Sequence, residues 1–148
     1  MPPRIDFIVR LLLAAGLGAV IGLEREYHQK PAGLRTNILI ALGSAMFMIM
    51  SIVIGQQAGT PDRIAAQIVT GMGFLGGGAI LRRGPAVHGM TTAATIWVNA
   101  AIGIAAGAGQ YAMAAAATAI TLIVLAVLQP LERYFEQRPR TDTYTHPD

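Results

Sequence analysis

Residues 71–80 read GMGFLGGGAI. The first six, Gly71-Met72-Gly73-Phe74-Leu75-Gly76, match G-x-G-x-x-G, the turn that cradles a pyrophosphate in dinucleotide-binding domains. That chemistry needs a strand before the turn and an acidic residue about 20 positions after it to hold the ribose. Neither is present. Upstream, Ile64-Ala65-Ala66-Gln67-Ile68-Val69-Thr70 reads as apolar helix, and no Asp or Glu occurs between Asp62 and Glu132. The glycines belong to something other than a nucleotide loop.

What surrounds them is oil-like. The chain has 148 residues, of which 53% are hydrophobic and only 13% charged, about half the charged share of a soluble domain. Its mean hydropathy is +0.51. The apolar residues come in runs at 5–23, 37–55, 64–81, 90–108 and 113–128, the last lengthened by Tyr111 and Ala112. A helix of about 20 apolar residues spans the hydrocarbon core of a bilayer, roughly 30 Å thick. Five such runs leave almost nothing for a soluble core. The expected fold is all-α, an integral membrane bundle of five transmembrane helices. The first run is read as a retained helix and not a signal peptide, because it continues past Ala14 and Ala15 to Leu23 and ends in Glu24-Arg25-Glu26.

The pI of about 9.8 does not imply nucleic acid, since basic residues in such a chain set orientation. Alternating sides put Arg25, Lys30, Arg35, Arg82, Arg83, Arg133, Arg138 and Arg140 together and leave Arg4, Arg10 and Arg63 opposite. The richer side is expected in the cytoplasm, giving an outside N-terminus and a cytoplasmic C-terminus.

Two readings of the glycines remain open in lipid. Small residues four apart let helices approach closely, and Gly73/Gly77, Gly18/Gly22 and Gly103/Gly107 have that spacing. Alternatively, Gly71, Gly73, Gly76, Gly77 and Gly78 weaken the third helix, at about 1 kcal/mol each relative to Ala, and a broken helix at membrane depth can bind an ion. The fourth run carries Thr91, Thr92, Thr95 and Asn99. Thr91, Thr95 and Asn99 are four apart on one face, which Gly103 and Gly107 extend. They serve either interhelical hydrogen bonding or a polar lining for an ion path; Asn99, an amide at depth, must face the bundle. Trp97 reads as packing. Asp6 and Arg10 read as an i, i+4 ion pair.

The densest charge, Glu24-Arg25-Glu26-Tyr27-His28-Gln29-Lys30, leads through Pro31-Ala32-Gly33 to a second helix capped by Thr36 or Asn37. Glu24, directly after the apolar run, is expected to pair with Arg35 or Arg82. Glu24 and Glu26 are also candidate Mg²⁺ ligands, although positions two apart on a helix point apart. The three histidines fall in loops or the tail, and no cysteine, Walker motif, zinc spacing or nucleophile–base pair occurs. The chain is not expected to be an enzyme, and no cofactor beyond Mg²⁺ is indicated.

Glu24-Arg25-Glu26, Lys30-Pro-Ala-Gly-Leu-Arg-Thr-Asn37, Leu42-Gly-Ser44, Gly71–Gly78 and Gly89-Met-Thr-Thr-Ala-Ala-Thr-Ile-Trp97 together resemble the membrane domain of the MgtC/SapB family, collinearly over roughly residues 10–112. The resemblance implies a multi-pass protein of the bacterial inner membrane linked to growth at low magnesium and, in pathogens, to survival in host cells. The expected function is that of a non-enzymatic regulator of partner membrane proteins; the alternative is a small transporter or channel for Mg²⁺ or another ion. The candidate ion- or partner-binding residues are Glu24, Arg25, Glu26, Arg35, Asn37, Gly73, Gly77, Arg82, Thr92, Thr95 and Asn99. Expected partners are the bilayer, a second copy of the chain (a dimer) and another membrane protein. The transmembrane domain is placed at 1–130. The remaining 131–148 is a short cytoplasmic tail, with an interfacial helix over 131–137 and a disordered end, in place of the soluble domain that family members often carry.

Overall fold

The computed structural model describes residues 4–58 and 63–136. It is all-helical apart from one small hairpin. The elements are α1 (Arg4–Tyr27), α2 (Leu34–Ala58), α3 (Arg63–Gly78), β1 (Leu81–Arg83), β2 (Ala86–His88), α4 (Met90–Gly107) and α5 (Tyr111–Glu136). Four helices, α1, α2, α4 and α5, are long and apolar enough to cross a membrane. The fifth expected span is shorter than the apolar run suggested. α3 has 16 residues, about 24 Å at 1.5 Å per residue. It ends at Gly78, where the glycine run removes helix preference and the Ala79 and Ile80 N–H groups turn back to the Gly76 and Gly77 carbonyls at 3.1 Å. The chain then enters an antiparallel hairpin that pairs Leu81 with His88 and Arg83 with Ala86. Gly84 makes its turn at φ +62°. Sequence reading placed a plain loop there.

Contacts define two ends of the bundle. At one end Tyr111 Oη donates to Asp6 Oδ1 at 3.2 Å, Arg10 donates to the Gly107 carbonyl at 2.8 Å, and the Ala65 N–H donates to Ser51 Oγ at 3.2 Å. At the other, Gly22 meets Leu34, and Glu24, Met90 and Gln129 line a common cleft. Successive helices thus run antiparallel, and the start of α1 and the end of α5 lie at opposite ends.

Both tight connections close by the same device. After α1 the Lys30 N–H returns to the Arg25 carbonyl at 2.9 Å and Gln29 to Glu26 at 3.0 Å, with Gln29 left-handed at φ 53°. After α4, Gln110 returns to Ala105 at 2.9 Å and Gly109 to Ala106 at 3.0 Å. This pattern satisfies carbonyls that a helix end otherwise leaves unpaired. α5 passes Pro130 without ending, so residues 131–136 continue it and do not form a separate interfacial helix. The expected disorder of the tail concerns residues 138–148, outside the described residues.

α4 is the hub, packed against every other helix. Lipid tails are as apolar as leucine, so close backbone approach, not water exclusion, holds helices together here. Ala14, Ala45, Ala106 and Ala114 are each 0% exposed. A Cβ at Gly18 would stand 2.7 Å from the Asn37 carbonyl oxygen, and one at Gly103 would overlap the Ala41 carbonyl oxygen. The close-packing expectation holds for Gly18/Gly22 and Gly103/Gly107. It fails for Gly73/Gly77, which have no neighbour within 4 Å and lie exposed on the outer side of α3. The alternative reading of the glycines, a break in α3, is not found within Arg63–Gly78.

Candidate functional site

Among the described residues, Arg25, Asn37, Ser44, Ser51, Thr92, Thr95, Asn99 and Thr118 are polar and buried in this packed interior. Two of them form an amide clasp between α2 and α4. Asn99 Nδ2 donates to the Asn37 carbonyl at 2.7 Å and to Asn37 Oδ1 at 3.1 Å, and both residues are 0% exposed. Asn37 is not the helix cap expected from the sequence. α2 starts at Leu34 and the Asn37 N–H already bonds the Gly33 carbonyl at 3.1 Å. Its own amide donates to the Ala32 carbonyl and, at 3.0 Å, to that of Gly33. The capping acceptor is Glu26, whose Oε2 takes the Leu34 N–H at 3.0 Å. Thr36, the other expected cap, is exposed.

Below the clasp lies Arg25, only 3% exposed. One Nη donates to Thr92 Oγ1 at 2.7 Å and to the Pro31 carbonyl at 3.3 Å. A guanidinium enclosed this way is costly unless charge and hydrogen bonds compensate it. The adjacent Glu24 carboxylate offers attraction. Yet no Arg25 ion pair forms among the described residues, and Arg25 Nε and Glu24 Oε2 are buried without a hydrogen-bond partner there. Glu24 instead pairs with His28, its i+4 neighbour, at 3.0 Å. The expected partners are elsewhere: Arg35 is exposed, and Arg82 donates to the Gly84 carbonyl at 3.1 Å within the hairpin.

A cleft of about 610 Å³ opens at this end, lined by Glu24, Arg25, Lys30, Pro31, residues 87–92 and one side of α5. A second groove of about 700 Å³, almost wholly apolar, lies between α2, α3 and Ile96. The cleft does not suit a protein-held Mg²⁺. Glu26 is committed to the α2 start while Glu24 faces His28, so the two carboxylates diverge. Arg25 and Lys30 would oppose a cation beside Glu24. Among the described residues no three His, Cys, Asp or Glu cluster in metal-binding fashion.

At the opposite end Asp6 and Arg10 form the expected ion pair at 2.7 Å. Arg10 does more than that, capping α4 through Gly107. Thr92, Thr95 and Asn99 are buried as a face, whereas Thr91 is exposed. Thr95 Oγ1 bonds the Thr91 carbonyl of its own helix at 2.8 Å. Trp97 is half exposed on the outer surface. Ser44, noted in the sequence only within Leu42-Gly-Ser44, is buried too, as is Thr118, which was not singled out and bonds the Ala114 carbonyl at 2.8 Å. The pairings Arg25–Thr92 and Asn37–Asn99 were also missed. They join residues more than sixty positions apart, and spacing along one chain carries no signal for such partners.

Comparison with known proteins matches the model of the MgtC family to residues 11–134. Protein MgtC of Salmonella typhimurium (strain LT2) is 47% identical over 133 residues, covering 90% of this chain and 57% of its own length. The Synechocystis protein slr0014 is 42% identical over 138 residues, 93% of this chain and 58% of its own. YhiD of Escherichia coli (strain K12), named as a proposed magnesium transporter, is 47% identical over 133 residues, 85% of this chain and 62% of its own. The chain therefore spans about three fifths of the length of these relatives. No solved structure matches.

Proposed function

The chain belongs to the MgtC family, and from that premise we propose that it is a non-enzymatic regulator in bacterial magnesium homeostasis. In this reading it works in the inner membrane through lateral contacts with partner membrane proteins. α3 makes the fifth crossing, its length completed by the residues that lead into the hairpin. The end bearing Arg25, Lys30, Arg35 and Arg82 faces the cytoplasm, following the preference of basic residues for that side. The chain works as a homodimer.

The observation that carries a regulator over a conduit is the closed middle of the bundle. Arg25 and Thr92, bonded to each other, line the cleft. Beyond it stand the Asn37–Asn99 clasp and the contacts of Gly103 on Ala41 and Gly107 on Ala45. A hydrated ion needs a lined, water-filled route. By contrast, α3 turns Gly71, Gly73, Gly77 and the 83%-exposed Phe74 outward, the kind of surface on which another transmembrane helix packs closely.

The transporter reading draws on the cleft at Glu24, which would be the mouth of a path, and on the name given to YhiD. Liposomes holding the purified chain and a Mg²⁺-sensitive dye separate the two. The regulator predicts no more flux than empty vesicles, and the same for Glu24→Gln. Mg²⁺ entry that disappears in Glu24→Gln would overturn it.

A further inference from the structure

We propose that the cleft at Arg25 is a binding site for an anionic phospholipid, holding a singly charged phosphodiester headgroup with an acyl chain laid along α5. This rests on the reading of the chain as a membrane protein, but not on its role as a regulator.

Three independent features of the cleft converge on an anion. The first is Arg25, which lines the cleft and whose guanidinium, with no ion pair among the described residues, is held only by the neutral Thr92 hydroxyl and the Pro31 carbonyl. The second is the start of α4, which also lines the cleft. Gly89 is its N-cap and supplies no side-chain hydrogen bond. The first-turn N–H groups of an 18-residue helix and the positive end of its dipole are therefore left to whatever occupies the space. The third is Lys30, exposed at the rim, with no ion pair among the described residues.

Charge decides which anion. Arg25 and Lys30 contribute two positive charges and Glu24 one negative. The helix end adds about half a positive charge. The sum, about +1.5, holds a monoanion with charge to spare. A phosphate dianion would leave a net negative charge of about half beside the Glu24 carboxylate, whereas a singly charged phosphodiester leaves the cleft positive.

Shape decides the source. The α5 side of the cleft is Val124, Leu125 and Leu128. Val124 and Leu128 are 48% and 43% exposed and continue onto the outer surface of a membrane-spanning helix. A soluble phosphate ester has nothing to place there; a lipid tail does. Basic pockets between transmembrane helices at headgroup level are a recurrent form of anionic-lipid recognition.

The test is native mass spectrometry of the full chain in detergent, titrated separately with phosphatidylglycerol, phosphatidylcholine and sodium phosphate. Phosphatidylglycerol should be retained at concentrations about fivefold lower than phosphatidylcholine, the effect of roughly one basic residue acting on one lipid charge. Lys30→Glu, an exposed rim change, should remove that preference. Leu128→Trp should weaken both lipids by filling the tail groove. Circular dichroism verifies that each variant is folded, which keeps the test independent of Arg25→Gln, a change that risks the fold. Equal retention of both lipids, or an unchanged preference in Lys30→Glu, overturns the site. Displacement of phosphatidylglycerol by millimolar phosphate would make the ligand a water-borne anion and overturn the lipid assignment. A chain that stays in the supernatant without detergent would instead sink the membrane reading itself.

Discussion

Gly103→Ala is expected to destabilise the bundle, and Gly71→Ala to leave it as stable or make it more so. The two substitutions are chemically identical, and each gains about 1 kcal/mol of helix preference. They differ in what the new methyl meets. At Gly103 it overlaps the Ala41 carbonyl oxygen and comes within 2.9 Å of Ser44 Cβ; at Gly71 nothing lies within 4 Å. A backbone carbonyl inside a neighbouring helix cannot rotate away, so α2 and α4 must separate. Overpacking of this kind costs about 1–3 kcal/mol, enough to reverse the propensity gain. Gly103→Leu should give no folded protein. Unfolding by sodium dodecyl sulfate in mixed micelles, followed by circular dichroism, reads the difference. If Gly103→Ala were as stable as the parent chain, the close crossing of α2 and α4 would be wrong.

The second large effect is at Asn99. Asn99→Leu leaves two acceptors of Asn37 without their donor, at a cost of about 1–3 kcal/mol for buried unsatisfied groups, toward the lower end because hydrogen bonds between membrane helices average about 0.6 kcal/mol. Asn99→Asp is nearly isosteric but should be worse. It sets a carboxylate against the carbonyl and Oδ1 of Asn37, and an uncompensated buried charge costs about 3–5 kcal/mol. A double-mutant cycle with Asn37→Ala and Asn99→Ala isolates the pair. A coupling energy near zero would mean that the amides stabilise their helices separately.

The membrane class was legible because it depends on a bulk property, the length of apolar runs, which no tertiary contact overrides. The Asp6–Arg10 pair was legible for the opposite reason: both partners sit on one helix, four residues apart. Close packing by Gly18/Gly22 and Gly103/Gly107 was also foreseen. The same spacing at Gly73/Gly77 misled, because a small-residue motif states that a helix can be approached, not from which side. The cap of α2 was misassigned to Thr36 or Asn37 because the acceptor, Glu26, comes from the preceding helix. Glu24 was given Arg35 or Arg82 as partner when His28, one turn away, was already in reach. Of the candidate site, the residue types were visible in the chain. Their union at Arg25–Thr92 and Asn37–Asn99 depends on helices crossing.

The hub position of α4 bears on how the protein is made. α4 has the lowest mean hydropathy of the four candidate spans and carries Thr92, Thr95 and Asn99 on its buried side. A nascent segment of that composition partitions poorly from the translocon into oil by itself, because its amide has no partner there. It becomes a good transmembrane segment once α1 and α2 are waiting with Arg25 and Asn37 exposed to receive it. Biogenesis therefore has an order, with the first hairpin of helices serving as a template for the fourth. In a translocon-integration assay, α4 alone should enter in a smaller fraction than α4 preceded by residues 4–58. Equal fractions would mean that every segment enters independently.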